Sequence, residues 1–233
     1  MKKQLNITFL FLVLSFSTNA QVNLQLGNLD AIMLQQGAGK IFRNSKIKDS
    51  KIQGSPYLQK MFAAAKVENV TQKYFMRYNV FEDEFEFITP KNDTLILDKI
   101  KDFNKITFSG TNKKYVLVEY TNSGGKLTKG YLIELYLKGK SGLYEKENIS
   151  FYPGKIAKTS LEKDMPARYA KADPRYYFNS SETNIIEFPE NKKQLFKLFP
   201  EKKSVIEAFL KENKIDFDLE TDKIRIIDFL ATI

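Results

Sequence analysis

Alternation of apolar and polar side chains runs through residues 74–152, and it constrains the fold more than any other feature of this sequence. In its first segment, apolar side chains stand at every second position: Tyr74, Met76, Tyr78 and Val80. A period of two residues is typical of a β-strand that buries one face. Short segments such as "TPKND" and "SGTN" separate the apolar runs and predict hairpin turns. The pattern therefore predicts an antiparallel β meander that closes into a sandwich or a partial barrel.

The apolar spacing changes to that of helices after residue 190. Steps of three and four residues relate Leu195, Leu198 and Phe199, and Pro200 suits the first position of a following helix. Four apolar residues share one face of that second helix: Val205, Ile206, Phe209 and Leu210. The last segment, residues 218–233, fits either a helix or a strand, and we expect a helix.

These patterns together predict an α+β protein, an antiparallel β meander (sandwich or partial barrel) with C-terminal helices packed on it. The chain has 233 residues and no Cys, so its stability must come from packing rather than from disulfides. We divide it into a signal peptide (residues 1–20), an N-terminal segment with the antiparallel β body (residues 21–190), and a C-terminal helical segment (residues 191–233). The last two belong to one globular unit.

The N-terminus has the pattern of a bacterial secretory signal peptide. Lys2 and Lys3 precede an uninterrupted apolar run at residues 7–16, and small residues then lead to a cleavage site between Ala20 and Gln21. The run is short for a membrane span, so cleavage is favoured over a membrane anchor. The sequence therefore predicts an exported protein of the periplasm, the outer envelope or the medium, with no membrane span after signal removal.

The charge of the chain does not predict a nucleic-acid partner. The formal net charge is +9, and loss of Lys2 and Lys3 with the signal peptide lowers it to about +7. The basic residues are almost all Lys, spread along the chain and interleaved with acids, whereas base and phosphate recognition favours Arg. The distribution fits solubility better than a binding patch.

The absence of both His and Cys excludes whole classes of chemistry. Ser-His-Asp and Cys-His catalysis and the usual zinc sites require those residues. Carboxylate pairs, Ser-Lys arrangements and oxygen-ligated Ca²⁺ or Mg²⁺ remain. We expect no cofactor.

The acidic stretch "FEDEFEF" at residues 81–87 is the first candidate site. In a strand, one face would carry Glu82, Glu84 and Glu86, and the other face would carry Asp83, Phe85 and Phe87. Three carboxylates on one face could bind a hard cation, or two could form a hydrolytic pair. We favour a solvated strand face above a Phe-lined core, because no Gly- or Asn-rich metal loop follows.

A second candidate is "PARYAKADPRYYF" at residues 166–178. It combines Arg and Tyr, the residue types enriched in binding hot spots, and predicts a ligand or partner contact at Arg168, Tyr169, Arg175 and Tyr176. Tyr also alternates in ordinary strands, and this alternative is favoured.

Four segments together resemble a family of small exported proteins of Gram-negative bacteria with no assigned activity. They are "GSPYL" (54–58), "MRYNVFEDEFEF" (76–87), "DMPARY" (164–169) and the tail "LFKLFPEKKSVIEAFLKENKIDFDLETD" (195–222). The resemblance implies export and a helical tail, and it implies no catalytic residues.

Two functional hypotheses follow. The first is an exported periplasmic or envelope-associated binding or structural protein without catalysis, whose partner is an envelope protein or a glycan. The alternative is a carboxylate-dependent hydrolase that acts on envelope or extracellular glycans, with acids from different strands facing one cleft.

Overall fold

The computed structural model describes residues 42–44, 52–159, 161–181 and 183–233, without the side chains of residues 42–44 and 101. The predicted signal peptide, with its cleavage site at Ala20 and Gln21, lies outside these residues. Within them, no helix combines the length and the apolar character that a membrane span requires.

The part of the chain that the structure describes forms one open antiparallel sheet of ten strands between Ala63 and Glu187, extended by a short strand at its edge. The edge strand is β1 (Phe42–Asn44). The others are β2 (Ala63–Val67), β3 (Lys73–Asn79), β4 (Glu84–Ile88), β5 (Thr94–Leu97), β6 (Lys105–Phe108), β7 (Lys114–Thr121), β8 (Leu127–Lys138), β9 (Ser141–Tyr152), β10 (Arg168–Ser180) and β11 (Thr183–Glu187). The predicted strands and hairpins are confirmed.

The sheet consists of two runs of hairpins that meet in its middle. The strand order is β1-β5-β4-β3-β2-β6-β7-β8-β9-β10-β11, so β6 pairs with β2 and not with β5, which precedes it in the chain. A short 3-10 helix, Lys101–Phe103, lies in the connection that returns the chain from β5 to β6. All pairings between the described strands are antiparallel, but this return interrupts the simple meander that hairpin spacing suggests.

Alternation within the strands builds the core. Tyr74, Met76, Tyr78 and Val80 are all buried, as the period of two predicts. They belong to one apolar cluster that also contains Phe85, and the ring of Phe85 packs edge-on against those of Tyr115 and Tyr131.

Three helices follow the sheet in the described residues: α1 (Lys192–Leu198), α2 (Lys203–Glu212) and α3 (Glu220–Leu230). The Asn191 side chain caps α1 by accepting a hydrogen bond from the Gln194 amide, 3.1 Å. Pro200 begins a 3-10 turn that leads into α2, and Asn213 ends that helix. The last segment is a helix, as expected.

The helices cover one end of the sheet with an apolar cluster. Its fully buried members include Leu195, Ile206 and Ile227 from the helices and Leu143 and Phe178 from the strands. The α+β prediction is therefore confirmed in outline. The predicted face of α2 is wrong at one position: Val205 is 51% exposed, because the buried stripe is narrower and centres on Ile206 and Leu210.

Candidate functional site

A cavity with a volume of about 540 Å³ is lined by residues of β2, β3, β6, β7, β9 and β10. Its volume falls within the range of small-molecule sites, roughly 300–1,000 Å³. Apolar side chains form much of the lining: Leu58, Ala63, Val80, Phe108, Ala172 and Pro174. Ionisable side chains converge among them: Arg77, Lys113, Tyr115, Glu145, Glu147 and Lys171. This mixture of apolar walls and a few polar groups is typical of a binding pocket.

A bulge in β10 forms one wall of the cavity. The register between β9 and β10 shifts between Ala172 and Arg175. Pro174 lies in this interval and has no N–H to donate to the ladder, so β10 leaves its neighbour there. Ala172 and Pro174 consequently face the cavity instead of completing the sheet. Bulges are frequent next to functional sites for this reason.

Glu147 is the best-held acid of the cavity. Its carboxylate is buried and accepts hydrogen bonds from Lys113 Nζ (2.6 Å) and from the Tyr115 hydroxyl (2.8 Å). Each donor binds a different carboxylate oxygen. Burial, and then the charge of Glu147, raise the pKa of Tyr115, so this hydroxyl remains a donor at neutral pH.

Glu145 lies two residues earlier on the same face of β9 and is only half-buried. Within the described residues, no hydrogen bond or ion pair reaches its carboxylate. Burial raises its pKa above the ordinary value of 4.5; Glu147 and Glu220 raise it further, and Lys113 and Lys171 oppose them. The site thus pairs a fixed, ion-paired carboxylate with an unsatisfied one.

Replacement of Glu145 with Gln is expected to stabilise the protein at neutral pH by less than about 1 kcal/mol, because solvent screens this half-exposed group. The folded state holds a proton on Glu145 more tightly than the unfolded state does. The protonated Glu145 side chain therefore adds to the free energy of unfolding below pH 4.5, and this contribution is lost as pH rises through the raised pKa. Urea unfolding of the wild type and Glu145→Gln from pH 4 to 8 measures the difference in their free energies of unfolding. A difference that is the same at all pH values would contradict this prediction.

Glu86 anchors the segment that precedes β2 at the rim of the cavity. Its buried carboxylate accepts hydrogen bonds from Arg77 Nε (2.7 Å) and from the Tyr57 hydroxyl (2.7 Å). The Arg77 guanidinium also stacks on the rings of Tyr57 and Phe62, 4.1 and 4.4 Å from their centroids. The expectation of a solvated acidic face is therefore wrong for Glu86, because Arg77 on the paired strand β3 compensates its charge.

Asp83 provides a second charged cluster beside the cavity. It lies in the turn between β3 and β4 with a positive φ of 56°, a conformation that Asp tolerates better than most residues. Its carboxylate accepts hydrogen bonds from Lys99 Nζ (2.5 Å), from the Tyr78 hydroxyl and from Lys146 Nζ. We call Asp83, Lys99, Lys146 and Tyr78 the Asp83 cluster.

The Asp83 cluster lies where the ladder between β8 and β9 ends. β8 pairs with β9 only from Ile133 onward, whereas its earlier residues pair with β7 alone. At this point the Tyr131 amide donates to Asp83 (3.2 Å), and the Tyr131 carbonyl accepts from Lys146 (3.0 Å). Burial lowers the pKa of Lys146, and the charge of Asp83 opposes that effect. The Asp83 cluster therefore provides the hydrogen-bond partners for the Tyr131 main chain that a neighbouring strand would otherwise provide.

The residues predicted from the Arg- and Tyr-rich stretch do not come together. Tyr169 packs against Phe81 and Phe151, with ring centroids 5.1 and 5.2 Å away. Arg168 stacks on Tyr152 at the same end of β10.

Arg175 and Tyr176 lie on the far side of the bulge, roughly 20 Å along the strand. There Arg175 binds the Ser123 hydroxyl, and Lys223 lies over the Tyr176 ring, 4.5 Å from its centroid. The cavity wall at residues 171–174 separates the two pairs. A binding role for these four residues stays a prediction.

The acids of the first candidate site differ in their exposure to solvent. Glu82 lies exposed in the β3–β4 turn, Glu84 is half-buried, and Glu86 is held by Arg77. Among the residues that the structure describes, no group of three or more acidic side chains could hold a metal ion.

The site residues predicted from the sequence do not include Glu145 or Glu147, and the prediction places Asp83 on the face of Phe85 and Phe87 without giving it a role. A signal for the first two existed, because Leu143 and Ile149 share their face of β9 and are apolar. Acids at alternate positions between two apolar residues predict inward-facing carboxylates. No comparable local pattern marks Asp83, since its partners come from three other parts of the chain.

Comparisons of the chain with protein-family models, with curated proteins and with solved structures find no match. The resemblance to a family of small exported proteins therefore stays a prediction.

Proposed function

We propose that the chain is an exported, non-catalytic binding protein and that its cavity holds a small molecule. The observation that carries this proposal is the cavity of about 540 Å³, which has apolar walls and a few converging polar groups. The N-terminal signal pattern supports export to the periplasm or beyond.

Binding is favoured over catalysis by how the polar groups are used. Lys113 and Tyr115 occupy both oxygens of Glu147, and Glu86 accepts from Arg77. A nucleophile or a general base must be directed at the substrate, whereas contacts within the protein orient these carboxylates. Such fixed ion pairs shape and polarise a pocket without taking part in a reaction.

Filling the cavity is expected to weaken ligand binding. Ala63 in β2 and Ala172 in β10 both line the cavity, so Ala63→Leu and Ala172→Leu should each weaken binding of the apolar dye Nile red by about tenfold. Ala64→Leu is the matched control, because Ala64 pairs with the exposed Phe75 on the other face of the sheet. Fluorescence titration of Nile red measures the affinity.

Equal affinities in the wild type and in both wall variants would overturn the cavity as the binding site.

Amino-terminal sequencing of the same protein, purified from the expressing bacterium, is expected to begin at Gln21. A sequence that begins at Met1 would contradict export.

One observation favours a hydrolase as the second candidate. Glu145 and Glu147 line the same cavity, and the raised pKa of Glu145 is a property that a general acid needs. Release of reducing ends from purified peptidoglycan, present in the wild type and absent in Glu145→Gln, would replace the binding proposal with this one.

A further inference from the structure

Glu145 is the cavity carboxylate that the protein itself does not use. Both oxygens of its neighbour Glu147 accept hydrogen bonds from Lys113 and Tyr115. No donor of the described chain does the same for Glu145, although β9 directs it into the cavity. A half-buried carboxylate without a donor is costly in an empty site, and a ligand donor removes that cost.

The charges around Glu145 favour a cation over an anion. Two further acids, Glu147 and Glu220, lie close enough to influence it, and they are opposed by Lys113 and Lys171. Lys113 is committed to Glu147 at 2.6 Å, and Lys171 is exposed to solvent, which screens its charge. Arg77, the remaining cation of the lining, is committed to Glu86. Glu145 is therefore the carboxylate of the lining that no cation of the described chain contacts.

The rest of the lining calls for an apolar ligand body. Leu58, Val80, Phe108 and Pro174 present hydrocarbon surface to the cavity, and Pro174 lies in the bulge of β10 beside β9. Burial of such surface is the main source of affinity for a small ligand, whereas the polar group fixes its orientation.

We propose, on the basis of the binding function above, that the cavity takes a ligand in which an amine is attached to an apolar body, with the amine against Glu145. The ammonium donates charge-assisted hydrogen bonds to the carboxylate, which are about twice as strong as bonds between neutral groups.

A matched series of indoles tests the class of ligand. Tryptamine, tryptophol and indoleacetate share one aromatic body and end in an ammonium, a hydroxyl and a carboxylate. The chain contains no Trp, so indole fluorescence anisotropy, excited beyond the absorption of tyrosine, reports the bound ligand alone. We expect tryptamine to bind at least about tenfold more tightly than tryptophol, and indoleacetate to bind most weakly.

Glu145→Gln is expected to lower the affinity for tryptamine to that for tryptophol and to leave tryptophol unchanged. Glu119→Gln, on an exposed position of β7, is the control and should keep the preference. A wild type that binds all three equally, or a Glu145→Gln variant that keeps the amine preference, overturns the ligand class.

The Ala172→Leu variant separates the two proposals. If it weakens all three indoles while the wild type shows no amine preference, the cavity binds ligands and only the class is wrong. If it weakens none of them, both the ligand class and the cavity function fail.

Discussion

Replacement of Asp83 with Ala is expected to lower the free energy of unfolding by about 3–5 kcal/mol, the cost of leaving a buried charge unpaired. Asp83 and Lys146 are 18% and 15% exposed at their side chains, so water compensates little for the lost partner. The substitution also leaves the Tyr131 amide and the Tyr78 hydroxyl without an acceptor. Urea denaturation followed by circular dichroism measures the change, with Glu119→Ala as a control that should shift it by less than about 0.5 kcal/mol.

A double-mutant cycle distinguishes a charge effect from a packing effect at this position. Lys146→Met removes the buried ammonium, so the double variant Asp83→Ala, Lys146→Met should recover part of the stability that Asp83→Ala loses. If the two losses simply add, Asp83 acts through its turn conformation and not through the ion pair.

Gly130 offers an independent view of the same cluster. A Cβ atom at this position would lie 2.5 Å from Asp83 Oδ2 and 3.3 Å from the Tyr120 ring. Gly130→Ala should therefore displace the Asp83 carboxylate and destabilise the fold in the same direction as Asp83→Ala. The sequence requires Gly here because a charged side chain from another hairpin occupies the space beside it.

Most strands and helices could be predicted from the local spacing of apolar residues. β3 could be predicted because Tyr74, Met76 and Tyr78 stand at every second position, and Asn69 and Asn92, both at positive φ, lie in the turns before β3 and before β5. The helices could be predicted for the same reason, since a stripe of apolar residues repeats every three or four positions.

Pairings between strands that are distant in the sequence could not be predicted from local apolar spacing. Nothing near Val67 and Ile106 indicates that β2 and β6 pair, because alternation tells which face is buried and not which strand lies alongside. The start of β10 at Arg168 was hidden as well, since Pro174 interrupts its pattern and reads as a break instead of a bulge.

The candidate site depends on these same non-local features. The cavity exists because the β10 bulge, the β6–β7 turn and the segment anchored by Glu86 meet over β9. The stretch at residues 166–178 contributes Lys171, Ala172 and Pro174 to the cavity lining, and none of the four residues predicted from it. Arg and Tyr were predicted because these residue types are enriched in binding sites. The shape of the cavity wall instead depends on Ala172 and Pro174, which lie between them.

The helical segment and the sheet are expected to unfold together, and Phe178 is the residue that tests this. Its side chain is fully buried between the sheet and the helices, with ring centroids of Phe188 and Phe199 at 5.5 and 6.4 Å. Phe178→Ala should cost about 3–5 kcal/mol, as large-to-small changes of a buried aromatic residue do. Phe75→Ala, at a position 61% exposed, is the matched control and should cost far less.

The decisive measurement follows two probes through urea denaturation of Phe178→Ala. Far-UV circular dichroism reports the helices most strongly, and tyrosine fluorescence reports the sheet, where most of the buried Tyr side chains lie. If residues 191–233 belong to the same cooperative unit as the sheet, both probes must shift to one lower midpoint, because loss of the shared cluster destabilises both layers at once. An early helical transition that leaves the tyrosine transition at the wild-type midpoint would show instead that the helices dock as a separate, weaker unit.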